Sequence, residues 1–124
     1  MSIKPRVLVV DDDEVIASTT SMILNDTGFD SVAAFGGEEA LNIARGQSFD
    51  MLLTDVVMDP MNGIELAVAF LDIHPSARVL LFTGTTEAAQ PILDAMRSRQ
   101  NFPVLQKPIH PRDLIERLRA EQVG

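Results

Sequence analysis

The chain has 124 residues, 46% of them hydrophobic, and no cysteine, which suffices for one layered domain and excludes disulfides and thiolate metal sites. A formal net charge of −8 argues against a nucleic-acid backbone as a direct partner, and the apolar runs are far too short for a membrane span. The opening Met1-Ser2-Ile3-Lys4-Pro5 lacks the apolar core of a secretory leader, so the expectation is a single cytoplasmic domain over 1–124.

In chain order, the first strand is predicted near 6–10. A helix follows near 14–26, with Val15, Thr19, Met22 and Ile23 on its inward stripe and Gly28 as its stop. A second strand near 30–35 leads to a helix near 37–46 with Ala40, Leu41 and Ala44 inward. A third strand near 51–54 leads to a helix near 62–73 with Ile64, Val68 and Leu71 inward, blocked by Pro75. The fourth strand is predicted near 78–82. Pro91 falls inside the fourth helical stretch, Thr86–Ser98, which either kinks there or begins late. The fifth strand near 103–106 precedes a helix near 111–121, opened by Pro111 with Leu114, Ile115 and Leu118 inward.

Strands one, three and four are continuous apolar runs, as expected of strands covered on both faces. Five alternating units imply an α/β fold: a flavodoxin-like, doubly wound, five-stranded parallel sheet of order 2-1-3-4-5 with helices on both faces. Its ligand site should lie outside the carboxyl ends of strands one and three.

Asp11 and Asp12 close the first strand, and Asp55 closes the third. Like charges gathered at one sheet edge raise carboxyl pKa values and cost stability, so a bound cation is the natural remedy. The same edge receives Thr83-Gly84 after the fourth strand and Lys107-Pro108 after the fifth. Hard oxygen donors in an open site suit Mg2+. A carboxylate beside it can attack phosphorus, while a lysine and a hydroxyl orient the phosphoryl oxygens. Taken singly, Asp12 or Asp13 reads as a helix N-cap, Thr83 as a loop hydroxyl and Lys107 as a solvated charge. Four strand ends facing one crevice favour the joint reading.

The residues Val9-Val10-Asp11-Asp12, Asp55 with Met58, Met61, Asn62 and Gly63, then Thr83-Gly84, then Lys107-Pro108-Ile109 make the chain resemble the receiver domain of two-component response regulators over its whole length. The resemblance implies that Asp55 accepts a phosphoryl group from a sensor histidine kinase or a histidine phosphotransfer protein. It further implies that Asp11, Asp12, Asp55 and the Val57 backbone carbonyl hold Mg2+. Thr83 would bond a phosphoryl oxygen and shift inward, and Lys107 would pair with the same group beside a cis peptide to Pro108. A downstream protein would read the state on the face formed by the fourth helix, fifth strand and fifth helix. The expectation is a receiver without an output domain in this sequence, either a stand-alone regulator or a receiver cut from a larger protein, and not an enzyme beyond its own phosphorylation and dephosphorylation.

Three departures from that pattern stand out. Asp59-Pro60 follows Met58 where the family has proline directly after the methionine; Asp59 either adds a carboxylate near the metal or faces solvent, and solvent is the expectation. Val104 occupies the position three before the lysine where the family carries Tyr or Phe, and Phe102 is out of register to replace it, so the usual hydroxyl–aromatic coupling is in doubt. Pro91 and Arg97-Ser98-Arg99-Gln100-Asn101 alter the usual signalling face. Residues 1–96 hold four basic and fifteen acidic side chains, whereas 97–124 hold six and three. That bias reads either as chance with arginines favoured toward the last helix's C-terminus or as an unconventional partner surface near Arg97 and Arg99, which is the hypothesis carried forward. Val57 and Thr85 sit where the family tunes phosphoryl lifetime; an apolar Val57 cannot orient a water, so a long-lived phosphorylated state is expected.

Two other functions compete. One is a phosphorylation-independent interaction module. The other is an aspartate-nucleophile phosphohydrolase of the haloacid-dehalogenase type, although that family needs a second acidic pair after the lysine and a longer chain. His74 and His110 lack partners at metal-ligand spacing and read as helix-end surface residues.

Overall fold

The computed structural model describes residues 4–84, 87–97 and 99–123. The expectations placed on Met1–Ile3, Thr85, Thr86, Ser98 and Gly124 lie outside the described residues. Strands β1 (Arg6–Val10), β2 (Asp30–Ala34), β3 (Met51–Asp55), β4 (Arg78–Thr83) and β5 (Val104–Gln106) alternate with helices α1 (Glu14–Asp26), α2 (Gly37–Gly46), α3 (Gly63–Ile73), α4 (Ala89–Arg97) and α5 (Pro111–Val123). All pairings are parallel, in the expected order β2-β1-β3-β4-β5. The register sets Val10 beside Thr54, Asp55 beside Phe82 and Thr83 beside Gln106. The residues just after β1 and β5 and at the end of β3 therefore meet at one edge.

Side chains alternate between two cores, which explains the unbroken apolar runs. Leu8, Val10, Leu52 and Leu81 face Leu41, Leu66, Phe70 and Leu93, so α2, α3 and α4 cover one side. Val7, Val9, Leu53 and Phe82 face Leu24, Leu114 and Leu118 of α1 and α5 on the other.

Helix ends follow local chemistry. Asp13, not Asp12, caps α1, its carboxylate accepting from the Val15 and Ile16 N–H groups. Gly28 follows the helix with φ of +103°, a left-handed turn that a side chain would strain. Asn62 lies just outside α3 as its N-cap, in a reciprocal capping box with Glu65. At α4 the late start wins over the kink: the helix begins at Ala89, and Pro91 sits in its first turn, where a missing N–H breaks no helical bond.

Two expected inward stripes are corrected. On α1, Val15 is 73% and Met22 66% exposed, and Thr19 is also outside; the buried row is Ala17, Ser21 and Leu24. Small side chains let α1 approach β2 closely, and the Ser21 hydroxyl is bonded to the Ser31 hydroxyl at 2.9 Å. A polar residue in the true stripe disguised it. On α3 the buried row is Leu66, Ala67 and Phe70, while Val68 is 43% exposed. That helix is apolar nearly all round, so its periodicity does not choose a face. His74 is half-buried rather than a surface residue: its Nε2 lies 2.8 Å from the Ala44 carbonyl and its ring packs on Phe70 and Phe49, tying α3 to α2. His110 is exposed, and its Nδ1 accepts from the Arg112 N–H.

Candidate functional site

Asp11, Asp12 and Asp55 come together beyond the carboxyl ends of β1 and β3, each offering a carboxylate oxygen within 4.8 Å of the others. Asp11 is 1% exposed and Asp55 8%, whereas Asp12 faces solvent. The neighbouring chain holds the Asp11 carboxylate in place: Oδ1 accepts from the Asp13 N–H at 2.9 Å, and Oδ2 accepts from Lys107 Nζ at 2.8 Å. The same ammonium lies 3.3 Å from Asp55 Oδ2 and 4.5 Å from the centre of the Phe82 ring. Lys107 is thus the cation shared by two buried carboxylates, with an aromatic face on one flank.

Burial raises the Asp55 pKa above the ordinary 3.8, and the Asp11 charge raises it further, with Lys107 only partly offsetting both. Burial alone would lower Lys107, but its hydrogen bond to Asp11 and the charges of Asp55 and Asp11 outweigh that, so it stays above 10.5. The ammonium is firmly charged while the carboxylate beside it is costly to ionise. That imbalance favours an added positive charge, and the all-oxygen donor set fits Mg2+.

Backbone contacts set the geometry. The Gly63 N–H donates to the Val56 carbonyl at 2.8 Å, and a Cβ on Gly63 would fall on the Asp55 carbonyl oxygen. Only glycine lets α3 start this close behind Asp55. The Lys107 N–H donates to the Thr83 carbonyl at 2.8 Å, which ties the lysine and the threonine together at the end of the sheet. The Thr83 hydroxyl, however, is bonded to the Gly84 carbonyl at 3.2 Å and, among the described residues, to no carboxylate. Val57 is half-buried in the loop after Asp55, and Asp59 is exposed and outside the acidic cluster. The peptides preceding Pro60 and Pro108 are both cis; only the second was anticipated.

Phe82 as a neighbour of Lys107 and Gly63 as a close-approach point were not foreseen from sequence. The first depends on strand register. The second was visible as a motif letter but not as a steric requirement.

The sequence profile of the response regulator receiver domain matches residues 7–119. The chain belongs to the response regulator receiver domain family. The response regulator receiver protein CpdR of Brucella abortus is 33% identical over 114 residues, covering 91% of this chain and 92% of that protein. The DNA-binding response regulator MtrA of Mycobacterium tuberculosis is 29% identical over 119 residues, covering 96% of this chain and 51% of MtrA. This receiver therefore spans about half the length of its MtrA relatives. The crystal structure of a CheY-like receiver domain protein from Methanospirillum hungatei superposes with a TM-score of 0.87 at 26% identity, covering 98% of this chain and 95% of that one. Receiver domains of two-component response regulators switch on phosphorylation, interact with histidine kinases and bind Mg2+ at an acidic cluster. They are generally not enzymes, and the haloacid-dehalogenase reading is set aside by this match. Among the described residues no helix is long and apolar enough to cross a membrane.

Proposed function

We propose that Asp55 is the phosphoacceptor of this receiver, supplied by a phosphohistidine on a sensor kinase or phosphotransfer protein in the cytoplasm. The observation that carries this reading is the ammonium of Lys107 held between the buried carboxylates of Asp11 and Asp55. An Asp55 oxygen attacks phosphorus, the phosphorus–nitrogen bond to the donor imidazole breaks, and the ring nitrogen leaves with the electron pair. The product is an aspartyl phosphate, formed with no oxidant or further reactant.

Asp11, Asp12, Asp55 and the Val57 carbonyl would hold Mg2+, which when bound supplies positive charge to the phosphoryl oxygens. Lys107 orients and neutralises the transferring group. Thr83 turns its hydroxyl from the Gly84 carbonyl to a phosphoryl oxygen, a short movement at the end of β4 that can be transmitted to α4. Downstream recognition on the α4–β5–α5 face follows from that placement.

Mass spectrometry of the intact chain after a small phosphodonor with Mg2+, against Asp55→Asn, tests the assignment. One added phosphoryl group on the native chain and none on the variant is the expected result. No addition to either would favour an interaction module that ignores phosphorylation. Steady turnover of an added phosphomonoester would point instead to a hydrolase.

A further inference from the structure

Pro91 and Arg99, which belong to the sequence departures assigned to the signalling face, line a different surface. Helix α3 packs against α2, but no comparable packing joins α3 to α4. Between α3 and α4 lies a groove of about 1120 Å3, walled by Ile64 and Val68 on one side and by Pro91, Ile92, Ala95 and Met96 on the other. Both helices run away from the phosphoacceptor edge, so Asn62 and Glu65 stand at the near end and Arg99 and Gln100 at the far end.

The charges around this groove are unequal in their commitments. The Glu65 carboxylate accepts from the Asn62 N–H in the capping box at 3.0 Å. Arg97 lies 3.4 Å from Asp94. Arg99 is exposed, and among the described residues its guanidinium has no ion-pair partner. The result is an apolar trough ending in one uncommitted cation, on a chain whose net charge is −8. A second copy at that net charge would be repelled over most of its surface. A partner that presents a local carboxylate on an otherwise apolar row is complementary.

The walls are two helices, and α4 from Ala89 to Arg97 is about 12 Å long at 1.5 Å per residue. Those dimensions fit two turns of a third helix laid between them. We propose that the α3–α4 groove docks an amphipathic helix of a partner protein. Apolar side chains at i, i+4 and i+7 seat between Val68 and Ile92, and a carboxylate in the following turn meets Arg99. The surface is distinct from the α4–β5–α5 face, and docking does not require Asp55 to carry phosphate.

The test uses the unphosphorylated full chain and two synthetic amphipathic peptides of about 16 residues, long enough to be helical in contact. They share one leucine row and differ only in ending with Glu-Glu or Lys-Lys. Amide chemical-shift titration should show saturable binding with shifts at Ile64, Val68, Ile92 and Ala95. The Glu-ended peptide should bind about fivefold more tightly at low salt, a preference that shrinks as salt screens it. Val68→Asp should weaken binding about tenfold or more, and Arg99→Glu should reverse the preference; both positions are exposed enough for the variants to fold. The proposal is overturned if shifts centre on α1 or α5, if the two peptides bind equally, or if nothing binds. It is also overturned if sedimentation shows a dimer that Val68→Asp dissociates, because a second copy would then fill the groove. Since no phosphodonor is present, failure here leaves the Asp55 assignment intact, and the mass-spectrometric test leaves this one intact.

Discussion

The edge that gathers the carboxylates and the side that carries α4 and β5 are built to different tolerances. Around the first, all of Val7–Val10 and Met51–Asp55 is buried, α2 and α3 pack together, and Asp11 is pinned by both a backbone N–H and Lys107. On the second, β5 has three residues, none fully buried, and Val104 is 38% exposed. A cavity of about 470 Å3 there is bordered by Thr83, Leu93 and Val104. The well-packed region holds reacting groups in place without rearrangement. The loosely packed one belongs to the low-stability end of the molecule, where a shift of helix or strand costs little. The proposed phosphoacceptor and the proposed signalling face thus sit on neighbouring strands of unequal packing.

The sharpest challenge to this contrast is a pair of truncations. Phe70→Ala, at a fully buried position in the core beside His74, should cost about 3–5 kcal/mol of stability by urea denaturation. Leu105→Ala, at a half-buried position in β5, should cost less than about 2 kcal/mol, because its site is already partly hydrated. Equal costs would mean that the β5 side is no looser than the centre. A smaller effect is expected from Gly63→Ala, whose Cβ must displace the Asp55 carbonyl or the start of α3. Overpacking of this kind costs roughly 1–3 kcal/mol. Titration with Mg2+ should show weakened affinity as well, since the displaced backbone carries Asp55. Unchanged Mg2+ affinity in a destabilised variant would separate the fold from the site.

Most of the architecture was legible in sequence because it rests on runs and punctuation. Val7–Val10 and Val79–Phe82 read as buried strands, and Gly28, Pro75 and Pro111 mark helix ends through backbone chemistry that neighbours cannot override. The convergence of Asp11, Asp55 and Lys107 was legible for a related reason: parallel topology fixes which strand ends are adjacent. Facing was harder. Ser21 in the buried row of α1 and the all-round apolar α3 defeat a periodicity argument, since burial there is decided by how closely a helix approaches its strand. The α3–α4 groove was illegible for the same reason. Sequence places Pro91 and Arg99 near α4 but does not say which side of that helix they border.

The loop after Asp55 offers a kinetic test of the rigid side. Val57 is half-buried and has no group that can orient an attacking water. Val57→Asn should speed decay of the phosphorylated state several-fold, equivalent to about 1 kcal/mol on the barrier. The decay of radiolabelled or mass-tagged aspartyl phosphate measures it. An unchanged rate would show that water reaches the bond by a route that Val57 does not control.

The subtlest effect is the pH dependence of Asp55 itself, because Lys107 offsets part of the burial penalty. Its pKa in the fold is raised above 3.8, first by burial and then by Asp11. The native state therefore holds this proton more tightly than the unfolded chain does. Stability from that preference is fully present below pH 3.8 and is lost as pH rises through the elevated folded value. Asp55→Asn cannot ionise and escapes the loss. Without Mg2+, its stability relative to the native chain should grow as pH climbs above 3.8 and level off once pH has passed the elevated folded value. Lys107, held above 10.5, stays charged throughout and does not contribute to the slope. Urea midpoints of both proteins with a chelator present measure the difference. A difference that is flat, or that widens toward acid, would show that Asp55 ionises freely and that the rigid edge stores no electrostatic cost for a metal ion to relieve.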